Sequence, residues 1–167
     1  GGMSFHGGLV GALVAGFYYC RKHGLPFLAL ADRFFIVAPI GLGLGRIGNF
    51  INGELWGRPA PAWLPWAMVY PHVDPIPRHP SQIYEMLLEG VALFGIMWGT
   101  RKRPWPEGAR IGVFLVGYAV MRIIAEQFRE PDPQLGFLFD HITMGMLLSS
   151  VMLLAGGAWL WIVWRRR

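Results

Sequence analysis

The sequence predicts an all-α, polytopic transmembrane helix bundle with about five membrane segments and a loop region on its outer face. Three observations carry this. The mean hydropathy is +0.40, with 54% hydrophobic residues and only 15% charged, where soluble domains carry about 25% charged residues. Apolar stretches recur at roughly 4–20, 26–47, 82–99, 110–128 and 142–164, each near the ~20 residues that cross a bilayer. The basic residues stand in short clusters beside those stretches. The eight Trp suit the two membrane interfaces, where that residue collects. The whole chain, 1–167, reads as a single transmembrane domain.

The first stretch opens at His6 and carries a Gly7–Gly11 pair of the kind that packs helices closely. It ends at Cys20, Arg21 and Lys22. One cysteine excludes an internal disulfide and a Cys-rich metal site, and Cys20 reads as structural and inert. The basic pair follows the apolar run instead of preceding it, which excludes a signal peptide. The chain opens Gly-Gly instead of at a start Met and reads as a fragment.

The second stretch is interrupted by Asp32, Arg33 and Arg46. Gly43-Leu-Gly45-Arg-Ile-Gly48 matches the dinucleotide fingerprint in its letters, but an apolar segment precedes it where that fingerprint needs a strand. Gly41 and Gly45 suit close helix packing instead. A glycine-rich helix end would also leave backbone N–H groups free for an anion beside Arg46. Residues 49–81 then form a long loop rich in Pro and Trp, and a loop of that length ordinarily has a function.

Glu85 and Glu89 interrupt the third stretch. Tyr118, Arg122 and Glu126 recur every four residues in the fourth and make one polar stripe on a helix. The fifth is the cleanest, with Thr143, Ser149 and Ser150 its only polar residues.

The clusters Arg21–Lys22, Arg101–Arg103 with Arg110, and Arg165–Arg167 hold nine of the fifteen Lys and Arg. With five spans they fall on one side, which the positive-inside rule makes cytoplasmic. That arrangement explains the net charge of +5 without a nucleic-acid partner. The C-terminus is then cytoplasmic, and loops 49–81 and 129–141 are outside. Arg122 lies about 18 Å from the inner end of its helix, at the level of Arg46, Glu85 and His6. A charge within the membrane costs about 2.5–3.5 kcal/mol on insertion scales, so four polar segments at one depth need a cause. An ion pair of Arg122 with Glu126 that fixes helix packing is the plain one. Arg46 at the same depth points further, to an anion shared by two guanidinium groups, and a phospholipid phosphate fits. His6 is then the best general-base candidate. His72, His79 and His141 show no metal-ligand spacing, and no nucleophile elbow or paired membrane aspartates occur.

The run Gly45-Arg46-Ile47-Gly48-Asn49-Phe50-Ile51-Asn52-Gly53-Glu54-Leu55-Trp56-Gly57-Arg58 resembles the signature of prolipoprotein diacylglyceryl transferases. Three more blocks agree in order: Gly2-Met3-Ser4-Phe5-His6-Gly7-Gly8; Arg78-His79-Pro80-Ser81-Gln82-Ile83-Tyr84-Glu85; and Tyr118, Arg122 and Glu126 with Arg129-Glu130-Pro131-Asp132. The resemblance implies a seven-helix inner-membrane enzyme, of which this chain would hold the last five helices. It implies transfer of the diacylglyceryl group of phosphatidylglycerol to the lipobox cysteine of a prolipoprotein, with glycerol phosphate released. Carried over by position, His6, Arg46, Arg122 and Glu126 would be catalytic, and Asn49, Glu54, Gly57 and Tyr118 would join Arg46 in binding substrate. No metal or organic cofactor is expected. The partners would be phosphatidylglycerol, the prolipoprotein lipobox and the bilayer. The loop from Arg58 to Arg78 is short and Pro-rich for the family. A lipid or anion transporter and a non-catalytic membrane scaffold are the competing classes, since each also explains a polar layer among apolar helices.

Overall fold

The computed structural model describes residues 5–131, 137, 138 and 142–166, without the side chains of 5, 6, 9, 137 and 138. Helix α1 runs Phe5–His23 and stops at Gly24, whose φ of +63° suits a residue without Cβ. After Pro26, α2 runs Phe27–Asn52. A short antiparallel hairpin follows, β1 (Met68–Tyr70) with β2 (Asp74–Arg78), in register Met68↔Arg78 and Tyr70↔Asp74. Helix α3 (Ser81–Glu85), a π-helical segment (Met86–Ala92) and α4 (Leu93–Thr100) form one continuous rod. Helix α5 (Ala109–Glu126), a two-residue ladder of β3 (Phe137–Leu138) on β4 (Ile142–Thr143), and α6 (Met144–Arg165) complete the described chain.

Among the described residues, five helical rods overlap the five expected stretches. Three of them, Phe27–Asn52, Ser81–Thr100 and Met144–Arg165, are long and apolar enough to cross a membrane. The outward faces are apolar to match: Leu44, Leu154 and Trp161 are 63%, 74% and 58% exposed, a surface suited to lipid tails and costly in water.

The core sits where the rod crosses α5. Leu93, Met97 and Phe114 are buried together, and Phe35, Leu42 and Tyr118 pack around them. Helices α5 and α6 lie closest. A Cβ on Gly112 would strike the Leu160 side chain at 2.6 Å, and one on Gly156 would meet Leu115 Cβ at 2.9 Å.

The described residues of the three basic clusters gather at one end of this bundle. Asp32, in the second turn of α2, is buried and accepts hydrogen bonds from the backbone N–H groups of Gly108 (2.9 Å) and Ile111 (3.1 Å), so a residue of α2 caps α5. Trp159 donates to the Gly108 carbonyl, and Trp105 packs edge-on against Trp164. Arg101 and Arg165 lie over Trp98 and Trp161 at 4.2 and 4.1 Å, cation–π contacts of the kind found at a membrane interface.

Three expectations need correction. Helix α2 extends to Asn52, so the loop expected from residue 49 begins at Gly53, where a φ of +68° lets its N–H turn back to the carbonyls of Asn49 and Phe50. Gly43, Gly45 and Gly48 are therefore interior to α2, where N–H groups belong to the helical ladder, and no free amides await an anion there. Nothing lies within 4 Å of a Cβ built on Gly11, Gly41 or Gly45. The close approach is Gly43 against Gly90, where a Cβ on Gly90 would stand 2.8 Å from the Gly43 Cα.

Candidate active site

At the end of the bundle opposite the basic clusters, five charged side chains from three rods meet in the interior. Arg46 comes from α2, Glu85 and Glu89 from the 81–100 rod, and Arg122 and Glu126 from α5. Glu85, Glu89, Arg122 and Glu126 are 1%, 0%, 8% and 4% exposed. Glu89 bridges the two arginines with separate oxygens: Arg46 Nη2 donates to Oε2 at 3.1 Å, and Arg122 Nη1 to Oε1 at 3.4 Å. Glu85 offers one oxygen to both, with Oε2 at 2.7 Å from Arg46 Nε and 3.1 Å from Arg122 Nη1. Neither contact has hydrogen-bonding alignment, so the Glu85 carboxylate is ion-paired without a directed donor among the described residues. Arg122 Nη2 also pairs with Glu126 Oε2 at 2.8 Å.

Local sequence explains the convergence. Residues four apart share a helix face, which brings Arg122 and Glu126 together and points Glu85 and Glu89 the same way. The π-helical turns begin directly after Glu85 and carry Glu89 and Gly90. Such insertions re-aim side chains and are frequent at functional sites. Gly90, lacking a side chain, then lets the rod touch α2 at Gly43, one turn before Arg46.

The signature loop is threaded between two other segments. Gly57 N–H donates to the His79 carbonyl at 3.1 Å, Arg58 N–H to the Phe128 carbonyl at 2.9 Å, and His79 N–H to the Arg58 carbonyl at 3.0 Å. A Cβ on Gly57 would collide with the His79 and Phe128 carbonyl oxygens, which is the physical demand for glycine there. Arg58 Nε donates to the Arg129 carbonyl at 2.8 Å and Nη2 to the Glu126 carbonyl at 3.4 Å, just where α5 ends. Leu55 takes a left-handed φ of +57°, an unusual conformation for a γ-branched residue, and its carbonyl accepts from Ser81 Oγ at 2.8 Å. Gln82 completes the support, donating to the Glu54 carbonyl at 2.6 Å and accepting from the Tyr70 hydroxyl at 3.0 Å.

Outside the membrane-spanning rods, Arg78 holds Asp74 (2.6 Å), Glu130 (3.2 Å) and the Gly57 carbonyl (3.0 Å). Its guanidinium keeps the Asp74 carboxyl below the usual carboxylate range. Burial among Tyr84 and Phe128 pushes the His79 imidazole below its ordinary value, because an apolar setting disfavours the cation.

The expected site residues fall into groups. Arg46, Arg122 and Glu126 are brought together. Asn49 lies one turn beyond Arg46, its carbonyl accepting from Gly53 and Glu54 N–H. Tyr118, one turn before Arg122, stacks on Phe114 with ring centroids 5.9 Å apart. The Glu54 side chain is exposed and bonded to Asn52 Nδ2 at 2.9 Å, away from the buried cluster. Gly57 holds the loop beside the end of α5. His6 lies in the first turn of α1, and its side chain is outside the described residues, as are Asp132, Asp140 and His141. Glu85 and Glu89 join the site although the sequence motifs do not mark both as site residues; their four-residue spacing inside an apolar stretch is the signal for them. Sequence reasoning places no role on Thr143, whose hydroxyl donates to Glu126 Oε1 at 2.9 Å.

Rods that bury arginine and glutamate on their shared faces and expose Leu, Val and Trp outward define a class: a helical membrane protein with a polar interior at one end. The family follows from comparison. The family model described as prolipoprotein diacylglyceryl transferase matches residues 1–163, and the chain belongs to that family. It is 58% identical over 171 residues to a phosphatidylglycerol–prolipoprotein diacylglyceryl transferase of Nitrobacter hamburgensis, covering 99% of this chain and 58% of that one. The relative of the same name from Legionella pneumophila is 55% identical over 168 residues, covering 100% and 64%. That of Desulfotalea psychrophila is 49% identical over 174 residues, covering 100% and 63%. The chain therefore spans 58–64% of the length of these relatives.

Proposed function

We propose that this chain forms the lipid-handling portion of an enzyme that moves the diacylglyceryl group of phosphatidylglycerol onto the lipobox cysteine of a prolipoprotein. The sulfur forms a bond to the glycerol carbon of the diacylglyceryl group. That carbon's bond to the phosphate oxygen breaks, and glycerol phosphate leaves with both electrons. The thiol proton goes to a base, and His6 is the group assigned. The nucleophile belongs to the peptide, so the inert setting of Cys20 is no obstacle.

One observation carries this reading: Arg46 Nε and Arg122 Nη1 approach the same carboxylate oxygen, Glu85 Oε2, at 2.7 and 3.1 Å. Two guanidinium groups converging on one oxygen supply the paired positive charge a lipid phosphate needs. In that reading Glu85 occupies the place the phosphate takes, and the paired arginines later stabilise charge on the departing oxygen. Glu126 orients Arg122, while Asn49, Glu54, Gly57 and Tyr118 shape the head-group and peptide side. An apolar groove bounded by Ile40, Leu44, Ile47 and Val91 runs along the contact between α2 and the 81–100 rod, which suits an acyl chain. The five rods are five crossings of a bacterial inner membrane, with the basic end and C-terminus cytoplasmic and the site toward the outer leaflet.

The chain, alone and within a protein of the relatives' full length, is to be reconstituted in phosphatidylglycerol vesicles with a lipobox peptide. Mass spectrometry should find one diacylglyceryl group on the peptide cysteine. Unmodified peptide in both cases, with folded protein and bound lipid, would contradict the proposal and favour a transporter or scaffold.

A further inference from the structure

We infer that Thr143 is a positioning residue for Arg122, acting through Glu126. The inference rests on the transferase reading above only in so far as it assigns Arg122 a phosphate to hold.

Thr143 is 2% exposed and stands directly before α6. Its hydroxyl has one proton, and it gives that proton to Glu126 Oε1 at 2.9 Å. Its lone pair takes the N–H of Met146 at 3.2 Å, which caps the helix. The other Glu126 oxygen, Oε2, pairs with Arg122 Nη2 at 2.8 Å without hydrogen-bond alignment. The Thr143 hydroxyl is therefore the directed donor that fixes the rotation of this carboxylate among the described residues. Gly145 closes the other side, since a Cβ there would stand 2.7 Å from Glu126 Oε1. The first turn of α6, the positive end of its dipole, lies against the carboxylate. Glu126 is thus held in one orientation by α6, and it presents a fixed oxygen to Arg122.

Helix capping alone would give Thr143 a purely structural role, and three substitutions separate the two. Thr143→Val keeps the shape and removes the donor. Thr143→Ser keeps the donor. Thr143→Asp keeps an acceptor for the cap but sets a second acid against Glu126. Positioning predicts that Thr143→Val lowers kcat about tenfold, the loss expected for a hydrogen bond to a charged group, with a smaller change in KM for the lipid. Thr143→Ser restores most of the rate, and Thr143→Asp is at least as impaired as Thr143→Val. Recovery with Thr143→Asp, or a Thr143→Val loss that follows only the amount of folded protein, would overturn the inference. An activity-independent readout is the ¹⁵N signal of the Arg122 guanidinium in lipid nanodiscs. It should shift in Thr143→Val and return in Thr143→Ser, and an unmoved signal would overturn the inference. If the unsubstituted protein transfers nothing, the transferase reading fails by itself and the Arg122 signal still decides this one.

Discussion

The Nε of Arg46 lies 2.7 Å from Glu85 Oε2, across the contact between α2 and the 81–100 rod. The carboxylate is 1% exposed, and the arginine side chain 16%. Charges so placed are tolerable only in company, because each loses its water. Glu89, Arg122 and Glu126 supply that company, so three rods share one electrostatic unit. A substrate phosphate entering this unit would replace a carboxylate already there, and no bare cation needs to be created.

Replacing Glu85 with Ala leaves two arginines short of a counter-charge. Removing one partner of a buried pair typically costs about 3–5 kcal/mol. Thermal unfolding in detergent should show that order of loss for Glu85→Ala and much less for Glu54→Ala, whose side chain is exposed. Equal stability of the two variants would show that the buried layer contributes little.

Gly90→Ala should be harmful and Gly41→Ala harmless. The added methyl meets the Gly43 Cα at 2.8 Å in the first case and nothing within 4 Å in the second. An overpacked contact costs about 1–3 kcal/mol, and here it would also displace Glu89 from the arginines. Unfolding midpoints of the two variants measure this directly, and a matching pair would contradict the Gly43–Gly90 contact.

Much of this was legible in the sequence. The Tyr118–Arg122–Glu126 stripe needs only helical periodicity, and the clustered basic residues already told the two ends of the bundle apart. The partners were not legible. Which of several glycines makes the close contact depends on how the rods cross, and the π-helical turns that decide it leave no spacing signal. Gly57 reads as a motif letter until Phe128 and His79 close on it. Thr143 carries the ordinary mark of a helix cap, and its second bond exists only because α5 ends beside it.

The loop around His79 should loosen in mild acid. Burial lowers the folded-state value of this imidazole, so the neutral form is favoured by folding. The stabilisation is complete above the unfolded value of about 6.5 and is lost as pH falls through the folded one. Hydrogen exchange of the Gly57, Arg58 and His79 amides, corrected for intrinsic rates, should speed up between pH 7.5 and 5.5. The effect should vanish in His79→Phe. Exchange that slows on acidification would reverse the sign and contradict the assigned cause.

The central claim is that Arg46 and Arg122 together receive the lipid phosphate, and peptide lipidation in phosphatidylglycerol vesicles tests it most directly. Arg46→Ala and Arg122→Ala, each confirmed as inserted and folded, should reduce transfer by about a hundredfold or more, as losing a principal charge-stabilising donor does. Arg122→Lys should recover little, because an ammonium cannot reproduce the two-pronged contact. Transfer at the unsubstituted rate in Arg122→Ala would contradict the account.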